Sequence, residues 1–122
     1  MALAAKMHAA RFNDQDFPLI TANIYVLCSD GDLQEGVSAE SAALAGHLGL
    51  GNLIAIYDSN QITIAGDARL SMSENVGQRF EAYGWHVQQC NGHDHDQIVQ
   101  AVEAARTEGC LLYTSPSPRD DT

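Results

Sequence analysis

The stretch Ile24-Tyr-Val-Leu-Cys-Ser-Asp-Gly-Asp-Leu-Gln-Glu-Gly36 decides how the chain is built. Ile24–Cys28 is a short apolar run of strand formers bounded by turn residues, the pattern of a strand buried on both faces. Ser29 to Gly36 follows as an acidic loop. A second run of the same kind, Leu53-Ile-Ala-Ile-Tyr57, ends in Asp58-Ser-Asn60. Between the two, residues 37–48 place Val37, Ala42, Ala43, Leu44 and Leu48 at helix-compatible spacing. Gly46 marks a close approach within that helix, and Gly49 and Gly51 close it.

Moving outward, residues 1–12 read as a helix with no capping residue at its start, as the interior of a longer helix would. Ile62-Thr-Ile64 and Gly66 form a short segment after the second strand. Val76 to Tyr83 reads as a helix with Gly84 at its C′ position. Trp85 to Cys90 alternates apolar and polar residues, as a third strand near an edge does. Asp94 caps a last helix that carries Ile98, Val99, Val102 and Ala105 on one face. Strands that alternate with helices imply parallel pairing through right-handed crossovers, hence an α/β fold: a parallel sheet with helices on both faces. Ligands of such sheets bind at the carboxyl ends of the strands.

Composition narrows the function. The chain has 122 residues, 16 acidic against 6 basic, and a formal charge of −10. No basic patch is available to displace counterions, which argues against nucleic acid or an anionic membrane as a partner. An anionic cofactor would need a local metal. Cys28, Cys90 and Cys110 have no framework spacing and suit a reducing cytoplasm. No segment approaches the roughly 20 apolar residues that span a bilayer. Residues 110–122, with Pro116 and Pro118 closely spaced, show no strand or helix period. They read as a disordered or adapter-derived tail that includes Cys110, which leaves residues 1–109 as the domain.

The chemistry lies at the two strand ends. A small hard cation takes six oxygens, two of which a diphosphate can supply. Asp30 offers a carboxylate, Asn60 an amide oxygen, and the backbone carbonyl of Ile62 a neutral third. Gly31 leaves room for phosphate oxygens to approach the backbone. Loop amides before the helix at residue 37 would add donors. The remaining candidates have blander readings. His93 and His95 read as solvated imidazoles beside the Asp94 cap, and His47 as a packing residue. Tyr83 and Trp85 read as filling between layers, and Cys28 as a buried, unreactive thiol.

The segments 29–40, 45–60, 62–66 and Arg79-Phe-Glu-Ala-Tyr-Gly-Trp85, taken in order, resemble transketolase in its thiamine-diphosphate-binding domain, with residues 1–108 covered. The resemblance implies an incomplete thiamine-diphosphate-binding fold. It also implies thiamine diphosphate as cofactor, held through Mg²⁺ or Ca²⁺ by Asp30, Asn60 and the Ile62 carbonyl. Gly31 would then meet the diphosphate and Ile64 the thiazolium ring, while Glu35 and Glu40 would belong to an acidic network between the active sites of a homodimer. Ser29 and Ala65 depart from the family's usual Gly and Asp. The implied activity is transfer of a two-carbon ketol unit from a ketose phosphate to an aldose phosphate, in the cytoplasmic pentose phosphate pathway. No catalytic residue of the full enzyme falls inside this stretch, which by itself would be silent. Runner-up readings are dihydroxyacetone synthase, deoxyxylulose-phosphate synthase, or a non-catalytic cofactor-binding or assembly module.

Overall fold

A computed structural model describes residues 1–64, 66–108 and 110–114. The elements run α1 (Ala2–Phe12), β1 (Ile24–Ser29), α2 (Asp30–Gln34), α3 (Gly36–His47), β2 (Leu53–Asp58), β3 (Ile62–Thr63) and β4 (Gly66–Asp67). A 3₁₀ turn (Ala68–Leu70), α4 (Val76–Ala82), β5 (His86–Cys90), α5 (His95–Glu108) and β6 (Cys110–Thr114) follow. Four strands form one sheet in the order β1-β2-β6-β5. Every neighbouring pair in it is parallel. β3 and β4 make a separate antiparallel hairpin, with Ile62 opposite Asp67.

Alternation along β2 divides the core into two layers, because successive side chains on a strand point to opposite faces. Ala55 and Tyr57 join Leu33 of α2, Ala42 of α3, and Val76 and Phe80 of α4. Ile54 faces the other way and packs with Ala105 of α5. Ile56 completes that second layer with Cys90, Ala101, Ile98 and Val102. Helices therefore lie on both faces, as expected. Val99, assigned to the buried face of α5, is exposed instead. A stripe of Ile98, Ala101, Val102 and Ala105 already fills the contact, and Val99 falls beyond its edge.

The helix ends follow local chemistry. Gly84, at φ +88, accommodates the left-handed turn that ends α4. The Trp85 N–H donates to the Phe80 carbonyl and the Gly84 N–H to the Glu81 carbonyl, a Schellman closure. Asp94 caps α5: its Oδ1 accepts from the N–H groups of Asp96 and Gln97 at 3.0 and 3.2 Å. Those bonds, led by the one from Gln97, hold its carboxyl below the ordinary aspartate range.

Three further expectations differ from the structure. Ser29 to Gly36 is not all loop, since Asp30–Gln34 forms a helical turn. Its start is fixed by Asp32 Oδ2, which accepts from the Ser29 N–H at 2.9 Å and from Ser29 Oγ at 3.1 Å. β1 is not buried on both faces: Tyr25, Val26 and Leu27 are exposed. It sits at the sheet edge, with Tyr25 and Leu27 on the face of Ile54 and Ile56, which α5 covers on β2, and Val26 on the opposite face beside Ala55. Finally, Cys110–Thr114, placed in the tail, forms β6 between β2 and β5. Its apolar run is like those at 24–28 and 53–57 but stands next to Pro116 and Pro118, and its register, Leu111 beside Ala55 and Val87, puts it at the sheet centre. The rest of the expected tail lies outside the described residues.

Gly46 sets the distance between α3 and the α4–β5 junction. A Cβ there would clash with the Tyr83 carbonyl and lie 3.3 Å from Trp85 Cδ1. The obstacle is backbone, which cannot swing aside. Gly46→Ala is expected to cost about 3 kcal/mol by overpacking, read as a lower midpoint in urea unfolding. For Asp94 the sign follows from its lowered pKa. Its contribution is complete above the unfolded value and is lost as pH falls through the folded one. The melting-temperature gap between the parent and Asp94→Asn should therefore be constant above about pH 5 and shrink toward pH 2.

Candidate functional site

The sheet brings the two predicted strand ends side by side. β1 and β2 run in parallel register with Ser29 opposite Asp58, so both chains leave the sheet at one edge and in one direction. Asp30 is the first residue of α2, and its carboxylate is only 3% exposed. Both oxygens are occupied: Tyr57 Oη donates to Oδ1 at 2.5 Å, and the Gln61 N–H donates to Oδ2 at 2.7 Å. The second bond ties the loop after β2 directly to the end of β1. Gln61 takes φ +60, a left-handed conformation uncommon for a residue with a side chain, and turns the chain back across the strand ends.

Asn60 is therefore the immediate neighbour of a residue bonded to Asp30. Its Oδ1 accepts from the Ile62 N–H at 2.9 Å, an Asx turn that orders the segment. Ile62 lies in β3 and is half exposed, and Ile64 is fully exposed. Gly31 is the second residue of α2, and a Cβ there would meet nothing within 4 Å, so the backbone beside Asp30 is open to an approaching group. Glu35 links α2 to α3, Glu40 lies on α3, and both are exposed. Neither lines the open cavity of about 820 Å³ to which Asp30, Tyr57, Ser59 and Gln61 contribute. Ala65 is outside the described residues.

These positions fit a hard cation that arrives with its own oxygens. Among the described residues no group of three or more His, Cys, Asp and Glu could hold a metal. One carboxylate and neutral oxygens beside a side-chain-free backbone leave most of the coordination shell to a partner such as a diphosphate. Tyr57 and Gln61 were not singled out by sequence reasoning. Tyr57 had a signal: it shares the inward face of β2 with Ala55, and a buried phenol needs a partner for its hydroxyl. Gln61 had none, because its part is played by a backbone N–H.

The other candidates separate. Trp85 and Tyr83 pack against the first core layer, and the Trp85 indole N–H donates to the Ala42 carbonyl at 2.9 Å. His47 is exposed at the end of α3 rather than packed. Among the described residues no helix is long and apolar enough to cross a membrane. Burial, with help from the Asp32 charge, pushes the Cys28 thiol up to about 11. It is neutral at physiological pH. Alkylation of Cys28 at pH 7.5, followed by peptide mass spectrometry, is expected to run at least about 100-fold slower than for a free thiol and to accelerate as pH rises toward 11.

Residues 1–111 match the family described as transketolase, thiamine diphosphate binding domain. The transketolase of Geobacillus stearothermophilus is 49% identical over 109 residues, which are 88% of this chain and 16% of that protein. The chain thus spans about one sixth of that relative's length. The crystal structure of the Campylobacter jejuni transketolase superposes with a TM-score of 0.86 at 49% identity, over 93% of this chain and 18% of that one. A Pichia stipitis transketolase in complex with sedoheptulose-7-phosphate gives 0.88 at 41% identity, over 93% and 18%. With its fold, its strand-end carboxylate and this likeness together, the chain belongs to the transketolase family, through its thiamine diphosphate binding domain.

Proposed function

We propose that this chain forms the diphosphate half of a transketolase active site, holding thiamine diphosphate through Mg²⁺ or Ca²⁺. The observation that carries the reading is the buried Asp30 carboxylate bonded into the Asn60–Ile62 turn, in a chain of this family. Asp30 would give the charged metal oxygen, with the Asn60 amide and the Ile62 carbonyl as neutral ones. Gly31 would leave the diphosphate room to lie against the backbone, and the exposed Ile64 would offer an apolar contact to the cofactor's ring. When bound, the cofactor supplies the electron sink that lets a two-carbon ketol unit move between sugar phosphates. The residues of this chain bind and orient it. Glu35, between α2 and α3, and Glu40 on α3 are exposed, which is compatible with a part in an acidic network reaching a partner subunit of a homodimer.

Sugar phosphates as substrates are in keeping with the sedoheptulose-7-phosphate complex of the Pichia stipitis relative. A cytoplasmic location and the pentose phosphate pathway complete the reading. Dihydroxyacetone synthase, deoxyxylulose-phosphate synthase and a non-catalytic module are not favoured, since the relatives at 49% and 48% identity are named transketolase. In the intact transketolase polypeptide that carries this segment, Asp30→Asn and Asn60→Ala should each weaken metal-dependent thiamine diphosphate binding by about 100-fold or more. Isothermal titration measures this. Binding that survives both substitutions would refute the site.

A further inference from the structure

Of the two donors on Asp30, one is a side chain, and its ring belongs to the core. Tyr57 is 2% exposed, and its ring packs among Leu33, Ala42, Val76 and Phe80. Those residues come from α2, α3 and α4, so three helices fix where the phenol oxygen lies. That oxygen meets Asp30 Oδ1 at 2.5 Å. On the other side of the carboxylate, the Gln61 N–H holds Oδ2 at 2.7 Å. A carboxylate gripped at both oxygens by donors on one strand and its following turn cannot rotate about its Cβ–Cγ bond without breaking one bond. Each oxygen still keeps a lone pair for a further electropositive partner.

We infer that Tyr57 is a positioning residue for the cofactor's metal, presetting the Asp30 carboxylate through its hydroxyl. The inference rests on the reading of Asp30 as metal ligand and adds a residue that acts through that carboxylate. A flexible carboxylate must be ordered when the cation binds, and that ordering subtracts from affinity, whereas a clamped one is ordered when the chain folds. Outer partners of metal ligands typically change affinity by about 10- to 100-fold when removed. Tyr57 suits the part because an aromatic ring with two side-chain torsions loses little freedom when packed. It also joins the first core layer to the strand ends, so a change at Val76 or Phe80 would reach the site through the phenol.

Tyr57→Phe in the intact transketolase polypeptide keeps the ring and removes the donor. The readout is the Mg²⁺ concentration that gives half-maximal thiamine diphosphate binding in a calorimetric titration, well below the melting temperature. It should rise about 10- to 100-fold, while kcat at saturating Mg²⁺ stays within about threefold of the parent. Replacing Tyr57 by 4-aminophenylalanine restores a donor in the same place. Half-saturation should then return to within about threefold of the parent, whatever the melting temperatures do. Should Tyr57→Phe fail to fold, the aminophenylalanine variant decides alone, since parent-like half-saturation supports the inference and a tenfold rise overturns it. Half-saturation within twofold of the parent for Tyr57→Phe, or equal weakness of both variants, overturns it as well. Asp30→Asn run alongside separates the two readings. If it abolishes binding while Tyr57→Phe does not, only the positioning role fails; if it too binds normally, the metal site and the positioning role fall together.

Discussion

A carboxylate removed from water is costly unless its oxygens are satisfied, and among the described residues at the carboxyl edge of this sheet the one so removed is Asp30. The chain satisfies it with a phenol anchored in the core and a backbone N–H in the turn after β2. Those two bonds need β1 and β2 to be adjacent, parallel and in one register, because Asp30 follows the last residue of β1 while Tyr57 and Gln61 bracket the end of β2. The crossover through α2 and α3 is what supplies that adjacency. The sheet topology is thus a condition for burying this charge, and the charge in turn favours one register, since a shift by a single residue would point Tyr57 at the opposite face.

The layer above β2 has to approach closely for the phenol to be held. Gly46 lets α3 sit against the Tyr83 carbonyl, and the left-handed Gly84 turns the chain from α4 into β5 at the same point. Phe80 stacks edge-on to both Tyr83 and Trp85 there, with ring centroids 5.8 and 5.3 Å away. Neither glycine touches the strand ends. Their effect is transmitted through Ala42, Phe80 and Tyr57, which share one core layer.

Much of this was legible in the sequence because it is written in local chemistry. The apolar runs at 24–28 and 53–57, the glycine that closes α4 and the aspartate that caps α5 each act within a few residues of themselves. What escaped depends on partners far along the chain. The exposure of β1 depends on its place at the edge of the sheet, and the place of β6 depends on a gap between β2 and β5 that its own short apolar run does not specify. The turn α2 is the exception. Ser29-Asp-Gly-Asp32 has the spacing of a capping box, so a helix start was readable there beneath the metal-site pattern that drew attention to the same residues.

That overlap has a physical ground. A helix start leaves backbone N–H groups without intrahelical partners, the same groups that an anion would use, and in the turn at 29–34 Gly31 keeps open space beside the backbone. Asp32 is spent on Ser29 and so stabilises the turn itself. Asp30, two positions before it, is turned inward to Tyr57 and Gln61. Two aspartates on either side of one glycine therefore divide the labour. One holds the backbone in place, and the other has the direction of its carboxylate fixed by Tyr57 and Gln61.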